Sequence, residues 1–239
     1  MKCSGLDVPR RSGGPPGPRL RAWGRQARDF LLDVVYPREA LCLCCGAVVR
    51  SGCLCDDCRA ALRRQVHTPS WFFRDLDGVL AFSLCPHQGV ARSLILSLKH
   101  QAVACAADEL ASLVFPLPDG LSFAPDTVVT WVTMPARRRR ERCVDHGRLL
   151  AEAVAARLGL RCRRLLIRRD DHSRTQATLG GRARQRNLKN AYAPATGLDF
   201  PVLLVDDVLT TGTTALRCID ALRRGGAESI AVLTLTHAL

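Results

Sequence analysis

Residues Pro201–Ala215 read PVLLVDDVLTTGTTA, and the fold is read from them. The apolar run Val202–Val205 predicts a strand buried on both faces, as in a parallel sheet covered by helices. Asp206 and Asp207 follow at its carboxyl end, the edge where open α/β sheets bind ligands. Val208 and Leu209 lead into Thr210, Thr211, Gly212, Thr213 and Thr214, a small hydroxyl-rich turn that opens a helix over Thr213–Arg224. Backbone N–H groups at such a turn, with the helix dipole behind them, attract an anion. Gly212 lets the main chain come close to a phosphate. The two carboxylates cannot serve a phosphate; they suit the hydroxyls of a sugar or a metal ion. One segment therefore offers a phosphate site beside a diol site, the outline of a ribose phosphate.

On either side of this segment, strands and helices alternate. Gly78–Cys85 and the β-branched run Thr127–Thr133 predict strands, as do Arg161–Ile167 and Ser229–Leu235. Gly89–His100, Ala102–Phe115 and His146–Leu158 carry helical periodicity. The expectation is a mainly parallel α/β sheet flanked by helices. Asp170–Asn190 is polar and breaks the alternation, which predicts a long loop. Upstream, Pro9–Pro18 holds seven Pro or Gly in ten residues, too few apolar groups to order a tail. A short helix is expected over Arg25–Tyr36, stopped by Pro37, and another over Asp56–Arg64 after a cysteine cluster. Three parts result: a tail at 1–24, a helix and cysteine module at 25–68, and an α/β domain at 69–239.

The composition narrows the class. In 239 residues, 47% hydrophobic and 24% charged, wholesale disorder is excluded. Mean hydropathy is +0.02 and no run of about 18 apolar residues occurs, so no membrane span is expected. The opening segment lacks the apolar stretch of a secretory signal, and a cytoplasmic location is expected. Thirty-five Lys and Arg against 22 Asp and Glu give +13, and only Lys2, Lys99 and Lys189 are lysines. Between Arg137 and Lys189 there are 17 basic and 5 acidic residues, nearly the whole excess. Such a field draws polyanions: nucleotides, diphosphates or nucleic acid.

Of 12 cysteines, six fall between Cys42 and Cys58. Cys42-x-x-Cys45 and Cys55-x-x-Cys58 are two knuckles whose four thiolates suit a closed tetrahedral Zn²⁺ site, structural in role. Disulfides or an iron–sulfur cluster would draw on the same thiols. Cys44 and Cys53 lie in the same window at spacings less suited to chelation.

The Asp-Asp-x-x-Thr-Thr-Gly-x-Thr run resembles the phosphoribosyl pyrophosphate (PRPP) signature of type I phosphoribosyltransferases. The wider chain, from about Arg25, resembles the competence protein F (ComF) family, in which a four-cysteine module precedes such a domain. Arg142-Cys143-Val144-Asp145-His146-Gly147 is similar to that family's Arg-Gly-Phe-Asn-Gln-Ala, with Cys143 in place of its glycine. Gln176-x-x-Leu179 and Arg184-x-x-Asn187 match its spacing, Tyr192 takes its aromatic position, and Ser97–Lys99 its upstream lysine. On the residues alone, Lys99 reads as a solvated end of an amphipathic helix.

The resemblance implies that Asp206 and Asp207 hold the ribose hydroxyls and that Thr210–Thr214 cradle the 5-phosphate. It implies a second loop, Pro135 and Ala136 followed by Arg137, Arg138 and Arg142, at the pyrophosphate of PRPP and its Mg²⁺. Gln176, Arg184 and Asn187 would lie in a segment that closes over the ligand. It also implies an association with DNA uptake and transformation, with single-stranded DNA and the competence helicase machinery as partners. Two readings stand: a phosphoribosyltransferase whose acceptor is open, and a non-catalytic DNA-binding accessory protein that keeps the fold.

Overall fold

A computed structural model describes residues 40–67, 71–101, 104–118, 120–134, 144–168 and 191–238. Ala40–Leu239 form one compact unit. The expected tail and the helix Arg25–Tyr36 lie outside the described residues.

The chain enters through a two-stranded ribbon, β1 (Ala40–Leu41) and β2 (Val48–Val49), followed by helix α1 (Asp56–His67). Strands β3 (Phe72–Asp75) and β4 (Leu80–Pro86) come next, then helices α2 (Gly89–Gln101) and α3 (Ala104–Ala111). A single 3₁₀ turn, Ser112–Val114, ends this helical stretch short of the expected Phe115. β5 (Val128–Trp131), α4 (His146–Leu158) and the short β6 (Arg161–Cys162) form the next βαβ unit. β7 (Leu166–Arg168) and β8 (Tyr192–Pro194) make a separate antiparallel pair. β9 (Val202–Leu209), α5 (Thr213–Arg224) and β10 (Ile230–His237) complete the fold.

The main sheet has six strands in the order β3-β4-β10-β9-β5-β6. All its neighbours are parallel except the edge pair β3–β4. β9 is central, flanked by β10 and β5, which explains its unbroken apolar start: neither face nor edge meets water. Its side chains alternate between two cores. Leu203 and Val205 join the larger core with Leu94, Leu110, Leu150 and Val154 of α2, α3 and α4. Val202 and Leu204 join the other with Ile219 and Leu222 of α5.

Arg161–Ile167 is not the single strand its sequence suggests. Arg163 N–H still bonds Val129 O at 2.9 Å, but Leu165 N–H is taken by the Thr130 hydroxyl at 3.1 Å. With a side chain replacing the ladder acceptor, the chain leaves the sheet and turns into β7 to meet β8. The strand Phe72–Asp75 has no counterpart in the sequence reading. Among the described residues, no helix is long and apolar enough to cross a membrane.

Candidate ribose-phosphate site and metal centre

The C-terminal edge of the sheet gathers the chemistry. Asp206 and Asp207 fall within β9, two steps short of its end at Leu209. Because successive strand residues face opposite ways, the two carboxylates diverge. Asp207 continues the row of Leu203 and Val205 toward α2 and α4. There its Oδ2 lies 2.8 Å from Lys99 Nζ and 3.5 Å from His146 Nε2. Asp206 looks toward α5, and its Oδ1 accepts the Asp207 N–H at 2.9 Å.

The two carboxyls are driven apart electrostatically. Burial alone would raise Asp207, but the hydrogen bond from His146 and the charge of Lys99 outweigh it and hold the group below its ordinary value. Asp206 is pushed up, first by burial and then by the charge of Asp207 beside it. Pairs of acids separated in this way are typical of functional sites.

Around them runs a polar frame. Thr236 on β10 donates its hydroxyl to Asp207 O at 3.2 Å and meets His87 Nδ1 at 2.9 Å. With its one proton spent on the carbonyl, Thr236 accepts from His87, which fixes the proton on Nδ1. His146 is placed by its neighbour Asp145. That carboxylate caps α4 through Arg148 N–H at 3.2 Å and accepts Trp131 Nε1–H at 3.1 Å. Gly147 packs closely in the same place: a Cβ there would sit 3.2 Å from Trp131 Cδ1 and from Val132 O. Thr133 Oγ1, His146 Nδ1 and His237 Nδ1, each beyond or at a sheet-strand end or helix start, are buried without a hydrogen-bond partner among the described residues. A fourth, Thr127 Oγ1, lies at the other end of β5, so three of the four gather at the C-terminal edge.

Thr210, Thr211 and Gly212 make the turn, and Thr213 and Thr214 the first turn of α5. The Thr211 and Thr213 hydroxyls are 2.9 Å apart, and Arg74 of β3 donates to Thr210 O at 3.3 Å. Gly212 has φ 79°, the left-handed region that side chains disfavour. A Cβ at this glycine would also meet Leu76 Cδ2 at 2.9 Å. Gly212 is therefore needed for the loop's own conformation as well as for approach to an anion.

The sequence reading has Asp206, Asp207 and Thr210–Thr214 in one place; the fold brings them to one strand end, with the two carboxylates on opposite faces of β9. It missed Lys99 as a site residue and did not identify His146 or His87. These stand 108, 61 and 120 positions from Asp207 in the chain, and only the packing of α2 and α4 on β9 brings the first two to it. Pro135, Ala136, Arg137, Arg138 and Arg142 lie outside the described residues, as do Gln176, Arg184 and Asn187.

The second cluster is made by the knuckles. The Sγ atoms of Cys42, Cys45, Cys55 and Cys58 all lie within 4.8 Å of one another, with Cys45 and Cys55 at 3.6 Å. A Zn–S bond of about 2.3 Å in tetrahedral geometry places its sulfurs roughly 3.8 Å apart, so these four side chains fit one metal ion. Backbone N–H groups of the knuckles hold the Cys42 thiol down to about 6 although burial opposes them. Cys44 is exposed and Cys53 is buried, and neither belongs to the quartet. The module is tied to the rest through Arg59, which meets Glu109 of α3 at 2.7 Å and Leu54 O at 3.3 Å.

Comparison with known proteins finds matches over part of the chain. The family described as "Phosphoribosyl transferase domain" matches residues 143–238. The chain is 36% identical over 118 residues to DNA utilization protein YhgH of Salmonella typhi, covering 48% of this chain and 51% of that protein. It is 35% identical over 105 residues to Competence protein F of Haemophilus influenzae, covering 42% of this chain and 46% of that one. The chain thus spans about half the length of the curated relatives it matches. Among solved structures, a likeness at TM-score 0.34 and 15% identity is to adenine phosphoribosyltransferase from Leishmania tarentolae, covering 70% and 94% of the two chains. The match makes residues 143–238 phosphoribosyltransferase-like, and about half of the chain is similar to proteins named DNA utilization protein YhgH and Competence protein F.

Proposed function

We propose that this chain binds PRPP or a related ribose phosphate at the end of β9 and acts in the handling of DNA taken up by the cell. The observation that carries the first half is the junction of β9 and α5. An ionised and a raised carboxylate stand beside a left-handed, threonine-lined turn at a helix N-terminus. The 5-phosphate meets the N–H groups and hydroxyls of Thr210–Thr214, and the ribose hydroxyls donate to Asp206 and Asp207. Mg²⁺ comes to the site with the diphosphate it neutralises. In a transferase, a nucleophile displaces pyrophosphate at the anomeric carbon, and Arg137, Arg138 and Arg142 supply cations for the leaving group. Gln176, Arg184 and Asn187 would then help exclude water.

The four thiolates of Cys42, Cys45, Cys55 and Cys58 would hold Zn²⁺ as a structural ion, since four protein ligands leave no open position. The link to DNA is supported by the relatives, one called a DNA utilization protein and another Competence protein F. It is supported also by the excess of basic residues between Arg137 and Lys189. That excess favours a second reading, a non-catalytic accessory protein for single-stranded DNA and its helicase machinery. Titrating the chain with PRPP and Mg²⁺, and separately with single-stranded DNA at matched salt, decides between them. Tight PRPP binding with weak DNA binding supports the transferase, and the reverse supports the accessory role.

A further inference from the structure

Lys99 lies upstream of the matched domain, on α2, yet its ammonium group sits 2.8 Å from the Asp207 carboxylate. We propose that Lys99 is a positioning residue of the ribose-phosphate site: a built-in cation that aims Asp207 and keeps that carboxylate a hydroxyl acceptor, not a divalent-cation site. The inference rests on the ribose-phosphate reading given above and assigns a role within it.

Three observations carry it. First, both donors to Asp207, Lys99 Nζ and His146 Nε2, fall on Oδ2, and among the described residues none falls on Oδ1. One oxygen is held by these two side chains, and no described side chain takes the other. Second, Asp206 does not converge on the same point, since its carboxylate lies on the other side of β9 and accepts the Asp207 N–H. A divalent ion would have to bind at Asp207 alone, against an ammonium group 2.8 Å away in a setting where both side chains are largely buried. Third, the cation is a lysine in a chain where all but three of 35 basic residues are arginine. An arginine fork takes both oxygens of a carboxylate, whereas an ammonium group takes one and leaves the other free.

The test uses the full chain as wild type, Lys99→Met and Lys99→Arg, with folding checked by circular dichroism. Each is titrated with ribose 5-phosphate in EDTA, and separately with Mg²⁺ alone. Wild type should bind ribose 5-phosphate without metal and bind Mg²⁺ alone only weakly. Lys99→Met should lose about 10- to 100-fold in ribose 5-phosphate affinity and gain at least tenfold for Mg²⁺, because the Asp207 carboxylate is left without its ammonium partner. Lys99→Arg should keep Mg²⁺ binding weak yet still lose sugar affinity, its fork covering Oδ1. Unchanged Mg²⁺ affinity in folded Lys99→Met overturns the role of Lys99. Wild type that binds no ribose 5-phosphate, with or without Mg²⁺, overturns the reading of the site itself. A merely structural lysine would not raise affinity for Mg²⁺.

Discussion

Gly212 offers the sharpest test of the phosphate turn, because two separable penalties meet there. At φ 79°, any residue with a Cβ sits in the left-handed region, at a cost of roughly 1–2 kcal/mol. The added Cβ would also lie 2.9 Å from Leu76 Cδ2, an overlap to be relieved by a shift of that side chain, about another 1 kcal/mol. Gly212→Ala should therefore destabilise the chain by about 2–3 kcal/mol if the turn is kept. If the turn escapes into another conformation, affinity drops instead. Strain of 1–2 kcal/mol leaves the binding shape populated roughly 5- to 30-fold less, and affinity for ribose 5-phosphate falls by that factor. Denaturant unfolding and calorimetric titration read the two routes side by side. A third protein separates the penalties: Leu76→Ala combined with Gly212→Ala should recover the overlap but not the backbone strain, a coupling of about 1 kcal/mol. Wild-type stability and wild-type affinity in Gly212→Ala would refute the reasoning, since no route would then have absorbed the strain.

Further outcomes are expected. Purified protein should carry about one zinc per chain, and replacing both Cys45 and Cys58 by serine should remove it and unfold the module, so stoichiometric zinc kept by that variant would end the assignment. Affinity for single-stranded DNA should fall steeply with salt, and replacing Arg137, Arg138, Arg139 and Arg140 together should flatten that slope; an unaltered slope would place any DNA site elsewhere. Asp206 carries a raised pKa, so it lowers stability as pH rises through that value; Asp206→Asn keeps an acceptor for the Asp207 amide and should be more stable than wild type in mild alkali, with the gain lost in acid. The same variant should bind ribose 5-phosphate less tightly, and denaturation curves at two pH values, with a titration at each, check both signs.

Much of the fold was legible where local signals and burial agree. The helices His146–Leu158 and Thr213–Arg224 were read to the residue, because Asp145 caps the first and a small turn opens the second. Val202–Val205 reads as a buried strand, and the knuckle spacing singles out the four thiols that the fold does bring together. Reading failed where tertiary contacts replaced local ones. Arg161–Ile167 has strand composition throughout, but the Thr130 hydroxyl, 35 positions upstream of Leu165, takes an amide from the ladder and ends it. Cys44 and Cys53, set apart by their spacing, stay out of the quartet: one faces water and the other packs in the core.

The site shows the same division more sharply. Two adjacent acids look like one bidentate feature in a sequence, yet a strand sends neighbours to opposite faces. What each acid becomes is decided by the face it meets. Asp207 enters the layer of α2 and α4, where Lys99 and His146 hold it ionised. Asp206 enters the layer of α5, where burial and the Asp207 charge raise it. Without Lys99, Asp207 would keep only His146 beside it, and on the proposal above the site would answer more readily to divalent cations. A lysine distant in sequence thus sets which chemistry the Asp-Asp pair performs, and it does so by a contact that only the assembled sheet and helices create.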